Sequence, residues 1–285
     1  MKITLSRLPR RGAAPRRAAF TMMEIAICLA IIGFALVAII GVLPYGMHTQ
    51  RNNHDETIIN ADATMLLESI RSGARGLDDL TNYIYYVTNE WAEIKVDGTT
   101  NHGINVYNFT TASLSAPTLW PYAPAEPINS GSNIISVLST PEYTDLNGLP
   151  ISDTYNKDYF YNHLTARVRS MSGPAVEKPP QDNTLMREGT FTYQLICVNA
   201  ATPVDTNIYR LPPDQLLNAQ QLAANLRELR LRFDWPLRPN GSLGNGRQNF
   251  RVAIAGQLTT NLYNFGGSQT RLLYFYQPQS FIATP

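Results

Sequence analysis

The residues whose types and spacing carry the most chemistry lie near the start of the chain: Ala19, Phe20 and Glu24. Cutting the Ala19-Phe20 peptide bond would create an α-amino group four residues before the Glu24 carboxylate. The chemistry on offer is therefore hydrolysis of one bond in this chain, then neutralisation of an acid by the amine it frees. Glu24 heads an apolar run, and a carboxylate in the apolar part of a membrane helix costs at least about 2.5 kcal/mol. It needs a partner. Two sources are open: water or Arg17 at a membrane interface, or the Phe20 amine of a neighbouring copy packed against it in a shared apolar core.

The element that positions these residues is the uncharged run Ile25 to Leu43. As a helix rising about 1.5 Å per residue it covers roughly 28 Å, close to the hydrocarbon thickness of a bilayer. A cleaved secretory peptide has a shorter apolar region followed by a small-x-small site. Here the run ends Gly41-Val42-Leu43-Pro44-Tyr45, with no such site, and the small residues Ala18 and Ala19 precede it. Residues 1–19 carry Lys2, Arg7, Arg10, Arg11, Arg16 and Arg17 and no acid. By the positive-inside rule that leader stays cytoplasmic and the rest is exported.

Phe20-Thr21-Met22-Met23-Glu24, followed by an unbroken apolar helix and preceded by a basic leader, resembles the class III signal of type IV pilins and type II secretion pseudopilins. In that family Gly normally precedes the cut, Phe follows it, and Glu is the fifth residue after it. This sequence departs at Ala19, where Gly is expected. The resemblance implies cleavage between Ala19 and Phe20 by a prepilin peptidase, N-methylation of Phe20, and a docking role for Glu24. The partners it implies are other pilin or pseudopilin subunits and an inner-membrane assembly platform, with lipid around 25–43. A weaker likeness, to the C-terminal region of larger minor pseudopilins, rests on Leu222-Ala223-Ala224-Asn225-Leu226, the Arg-alternating strand after it and the Gly-rich turn beyond.

A length of 285 residues permits one sizeable domain beyond the membrane helix, or two small ones. The leader holds six of the 23 basic residues and none of the 22 acids, so its removal turns a net charge of +1 into −5. No nucleic-acid partner is expected of such a head. Cys28 lies in the membrane run and Cys197 in an expected strand, so no intrachain disulfide is expected.

Pro44 and Gly46 interrupt the helix without ending it, with a kink expected near Ile40 to Leu43. Periodicity resumes after Thr49: Ile58, Ile59, Asp62, Met65, Leu66 and Ile70 recur at helical steps, and Asn60, Ala61, Thr64 and Glu68 fall on the other side. Gly73 and Gly76 end it, giving one kinked helix over 20–75 of roughly 80 Å. Met65-Leu66-Leu67 is expected to be core. From Leu77 to Thr154 the pattern breaks into short apolar pieces between turn formers, which predicts short strands or a helical turn in long loops. Beyond that, Phe160–Met171, Thr190–Val198, Leu229–Trp235, Phe250–Gln257 and Leu272–Tyr276 read as strands of an antiparallel sheet. In the clearest, Leu229, Leu231, Phe233 and Trp235 share a core face, and Arg230, Arg232 and Asp234 share a wet one. Pro239 to Gly246 reads as a turn-rich connector, and Pro212 to Leu226 as a short helix with proline in its first turn.

No catalytic constellation stands out. His48, His54, His102 and His163 are scattered, with no His-Glu-x-x-His, Cys-x-x-Cys, nucleophile elbow or phosphate loop. Asp145-Leu146-Asn147-Gly148 has calcium-binding residue types but not the twelve-residue ligand loop, and reads first as a turn. Asn108-Phe109-Thr110 fits a glycosylation acceptor and is incidental in a bacterial-type export context. Tyr159, Tyr161, Tyr274 and Tyr276 offer a binding platform or, more simply, cross-strand packing.

The expectation is an α+β, pilin-like protein: a long kinked N-terminal helix, membrane-spanning in its first half, on an antiparallel head of residues 76–285. It is expected to be no enzyme, to use no cofactor or metal, and to sit in the inner membrane as a single-pass protein with an exported head before entering a filament. The alternative is a signal-anchored protein whose exported domain binds or catalyses and whose helix is only a tether.

Overall fold

The computed structural model describes residues 20–73, 78–108, 125–127, 130–172, 191–204, 212–238, 240–264 and 270–283. The expected leader, including Ala19, lies outside the described residues, as do Gly76 and Phe109-Thr110. The chain divides into two compact units, Met1–His54 and Asp55–Pro285.

One helix, α1 (Met22–Ser72), runs without a break through Pro44 and Gly46. It has 51 residues. In the first unit its apolar side chains are exposed on every side, with Phe34, Val37, Ile40 and Val42 all more than two-thirds accessible. In the second unit the helix is amphipathic: Ile58, Ile59, Asp62, Ala63, Leu66, Ser69 and Ile70 are buried. Met65, expected in the core, is instead exposed, because the buried stripe runs through Ala63, Leu66 and Ile70 and leaves it on the flank.

Gly73 ends the helix at φ +71°, donating its N–H to the Ile70 carbonyl at 3.2 Å. A Cβ there would fall 2.3 Å from the Tyr276 carbonyl oxygen, so both backbone conformation and close approach demand glycine. Gly73→Ala is expected to destabilise the head by about 2 kcal/mol or more, read as a lowered midpoint in urea with an unchanged slope.

The second unit is built on one large sheet. Its strands are β1 (Ile84–Ile94), β2 (Thr100–Asn108), β3 (Ala125–Pro127), β4 (Tyr143–Thr144), β5 (Tyr159–Arg169), β6 (Thr192–Ala201), β7 (Leu226–Leu237) and β8 (Leu243–Ala255). They lie in the order β3-β2-β1-β5-β6-β7-β8, with β4 beside β5. All pairs are antiparallel except β2 with β3. A separate hairpin pairs β9 (Gln257–Asn264) with β10 (Thr270–Gln277). Two short helices complete the unit, α2 (Gly131–Leu138) and α3 (Pro213–Asn225).

Two expectations need correction. The stretch from Leu77 to Thr154 holds long strands rather than short pieces in loops: β1 has 11 residues and β2 has nine. Val87, Thr88 and Asn89 are buried in succession, so both faces of β1 are covered and no alternation shows in the sequence. The connector Pro239 to Gly246 is also shorter than expected, for β8 begins at Leu243. Gly244 and Gly246 are strand residues beneath Pro236 and the Trp235 indole, and a Cβ at either would come within 2.4 Å of them.

The core lies between the tail of α1 and one face of the sheet. Ile59, Leu66 and Ile70 of α1 cluster with Leu164, Ala166, Tyr193, Leu195, Leu229, Leu231 and Phe233. Each fully buried aliphatic side chain contributes about 1.5–3 kcal/mol. Phe233 makes ring contacts with Tyr193 at 5.3 Å and Phe250 at 5.4 Å. The alternation from Leu229 to Trp235 thus buries its apolar set as expected.

Candidate assembly site

Phe20 precedes the first turn of α1 and is 78% exposed. Thr21 stands at the N-cap. Its hydroxyl accepts a hydrogen bond from the Glu24 backbone N–H at 3.2 Å, while Glu24 Oε2 accepts from the Thr21 N–H at 3.2 Å and from the Thr21 hydroxyl at 3.3 Å. This is a reciprocal capping box, which satisfies two of the helix's orphan donors and sets a negative charge at the positive end of the helix dipole. Glu24 therefore has a partner within its own helix, a role the reading of the sequence missed. The signal was present, since Thr21-Met22-Met23-Glu24 ahead of an apolar run is the Ser/Thr-x-x-Glu pattern.

Behind Glu24 the apolar side chains of α1 in the first unit are exposed among the described residues. The most apolar window of α1 is long enough to cross a bilayer, and none of it is buried. A helix apolar all round is buried in lipid or among other helices.

No family model, curated protein or solved structure matches this chain. Any functional reading rests on the residues themselves.

Other expected features are placed as follows. Asp145 Oδ1 accepts backbone N–H bonds from Asn147 at 2.9 Å and Leu149 at 2.7 Å, which makes the loop an Asx-type turn. Among the described residues no three His, Cys, Asp or Glu side chains are grouped to hold a metal ion. Tyr274 and Tyr276 are buried, donating to the Gly148 carbonyl at 2.8 Å and Asn199 Oδ1 at 2.6 Å. Tyr159 and Tyr161 pack on Tyr143 at 5.7 and 5.6 Å. Both cysteines are free; burial pushes the Cys197 thiol up to about 12.

Two charged constellations were only partly legible. Asp62 sits on the buried face of α1 and accepts from the Met171 N–H at 3.0 Å, the Ser172 hydroxyl at 2.5 Å and the Tyr193 hydroxyl at 3.0 Å. Burial raises its pKa, opposed in part by these bonds, of which the one from Ser172 lowers it most. On the outer face of the sheet, register aligns Arg230 with Arg251 and Asp234 with Arg247. Arg230 and Arg251 both pair with Glu228, and Arg232 and Arg247 both pair with Asp234, at 2.9 and 2.8 Å. Asp234, expected on a wet face, is 3% exposed because these two arginines cover it. Hydrogen bonds from Arg251 and Arg230 hold the Glu228 carboxyl below the usual range.

Proposed function

We propose that this chain is a minor pilin or pseudopilin, a structural subunit of a type IV pilus-like or type II secretion filament. In this account a prepilin peptidase cuts between Ala19 and Phe20 and Phe20 is N-methylated. The inner membrane holds the subunit by residues 25–43, with the head exported. An assembly platform then draws the helices into a bundle, where Glu24 of one copy pairs with the Phe20 amine of another. The observation that carries the reading is a single carboxylate at the head of a helix whose apolar side chains in the first unit are exposed among the described residues, behind a leader with only positive charges. Lipid covers that surface in the monomer, and neighbouring helices cover it in a filament.

One observation favours a second reading, in which α1 is only a tether for an exported binding or catalytic domain. The Thr21–Glu24 box gives the carboxylate a local task that requires no other molecule. The two readings part when Phe20 to Leu43 is replaced by an unrelated transmembrane sequence. Assembly requires that the chimera stay in the membrane and fall at least about tenfold in sheared filament fractions, a loss of about 1.4 kcal/mol per subunit or more. Undiminished recovery in those fractions supports the tether.

A further inference from the structure

We infer that the free edge of β8 docks an extended, acid-bearing segment of another protein, which joins the sheet as an added antiparallel strand. β8 is 13 residues long and ends the strand order of the large sheet. Among the described residues no strand or isolated bridge pairs with its far side. A long edge is usually guarded by proline, lysine, a bulge or an inward charge. From Gly246 to Ala255 β8 has none of these. It keeps register with β7 throughout, and its only charges, Arg247 and Arg251, are drawn back onto β7 by Asp234 and Glu228.

The backbone groups this edge offers can be named. The Gly256 N–H donates to the Asn225 carbonyl at 2.9 Å, and the Leu226 carbonyl turns the other way, accepting from the Thr202 N–H at 3.5 Å. Asn225 with Gly256 is therefore a hydrogen-bonded pair, and Leu226 with Ala255 is not. Alternation along the register leaves Arg247, Asn249, Arg251 and Ala253 with their N–H and C=O groups facing away from β7. All four residues are exposed.

The side chains select the partner. Among the described residues four guanidinium groups, of Arg230, Arg232, Arg247 and Arg251, share the outer face here with two carboxylates, Glu228 and Asp234, an excess of two positive charges. Arg247 and Arg251 remain 61% and 71% exposed. Acids four residues apart on the incoming strand would stand opposite them. Past Ala253 the edge meets an apolar groove of about 530 Å³ lined by Leu222, Leu226, Ala255 and Phe281, which suits a large apolar residue four places further on. On the inner face Phe250 and Val252 pack on the core but are only partly buried, and apolar residues opposite them would close their open flank. Two-fold pairing with a second copy would set both arginine pairs on one side of the joined sheet, so charge opposes it. The inference does not rest on polymerisation, and the failure of either reading leaves the other standing.

The test uses the full chain in a nonionic detergent and a fluorescein-labelled peptide, Phe-Val-Thr-Val-Glu-Val-Thr-Ser-Glu, followed by fluorescence anisotropy. Laid antiparallel, it sets phenylalanine opposite Ala255, the glutamates opposite Arg251 and Arg247, and serine opposite Gln248, which donates to Asn60 Oδ1 of α1 at 2.9 Å. The peptide is expected to bind saturably. Methylating the backbone nitrogens of its threonines, which face β8, or replacing both glutamates by lysine, is expected to weaken binding at least about tenfold. Methylating the two valines between the threonines, whose N–H groups point away, is expected to change it less than about threefold. Asn249→Pro removes an outward N–H without touching the ladder to β7, and is expected to weaken binding at least about tenfold as well. The peptide series makes the test independent of how that variant folds. No saturable binding up to about 1 mM, equal losses from valine and threonine methylation, or binding that Asn249→Pro leaves unchanged overturns the proposal. So does saturable binding of single-stranded DNA when no peptide binds, or a dimer of the chain that Asn249→Pro abolishes when no peptide binds.

Discussion

Glu24→Gln is expected to abolish entry into the filament while leaving the start of the helix intact. Glutamine at this position still completes a capping box with Thr21, because its amide oxygen accepts from the same N–H. What it removes is the charge. If Glu24 pairs with the Phe20 amine of a neighbour in an apolar bundle, Gln strands that amine without a counter-charge. Breaking a buried pair this way costs about 3–5 kcal/mol, a loss of at least about a hundredfold in incorporation. Glu24→Ala removes both the cap and the charge and should do no better. Immunoblots of sheared filaments against total membranes measure the ratio. Parent-like incorporation of Glu24→Gln beside a defective Glu24→Ala would assign Glu24 to the cap alone.

Asp62→Ala is expected to have the largest effect on the fold. The substitution leaves the Met171 N–H, the Ser172 hydroxyl and the Tyr193 hydroxyl facing an apolar stub. Tyr193 is fully buried, and the two hydroxyls and the N–H come from segments more than 100 residues away in sequence. Loss of this acceptor should cost about 3–5 kcal/mol, lowering Tm by roughly 10 °C for a unit of this size.

Its pH dependence has a definite sign. Burial raises the Asp62 pKa in the folded state above the unfolded value near 3.9, so between the two the native chain binds more protons. The contribution of this group is full below the unfolded value and is lost as pH rises through the folded one. Asp62→Asn should remove that component. The difference in unfolding free energy between parent and Asn variant, followed from about pH 3 to pH 8, is expected to favour the parent most at the acid end. A difference that grows with pH would contradict the burial account.

What the sequence displayed and what it hid have physical causes. Leu229 to Trp235 was legible because β7 buries one face and leaves the other to charged side chains. The tail of α1 was legible for the same reason at helical period, although Met65 shows that a stripe read from spacing can err at its edge. β1 was not legible, since neighbouring residues such as Thr88 and Asn89 are both buried and its amides serve a polar end of the core. Asp62 fell among the periodic apolar positions, yet its donors come from distant parts of the chain and only the fold assembles them. The exposed arginines of β7 were visible, but the burial of Asp234 depends on Arg247 across a register the sequence does not state. At the candidate site the spacing of Phe20 and Glu24 was readable, and so was the Thr21–Glu24 box. The first drew attention to what lies between molecules and obscured what lies within one.

The most direct test of the assembly account is the N-terminus of the mature protein isolated from membranes of the cell that makes it, read by intact mass and fragmentation. The account requires a chain beginning at Phe20 with one methyl group on its amine. A chain still beginning at Met1 and carrying Arg16 and Arg17, in a cell with an active prepilin peptidase, would contradict it and leave an anchored domain.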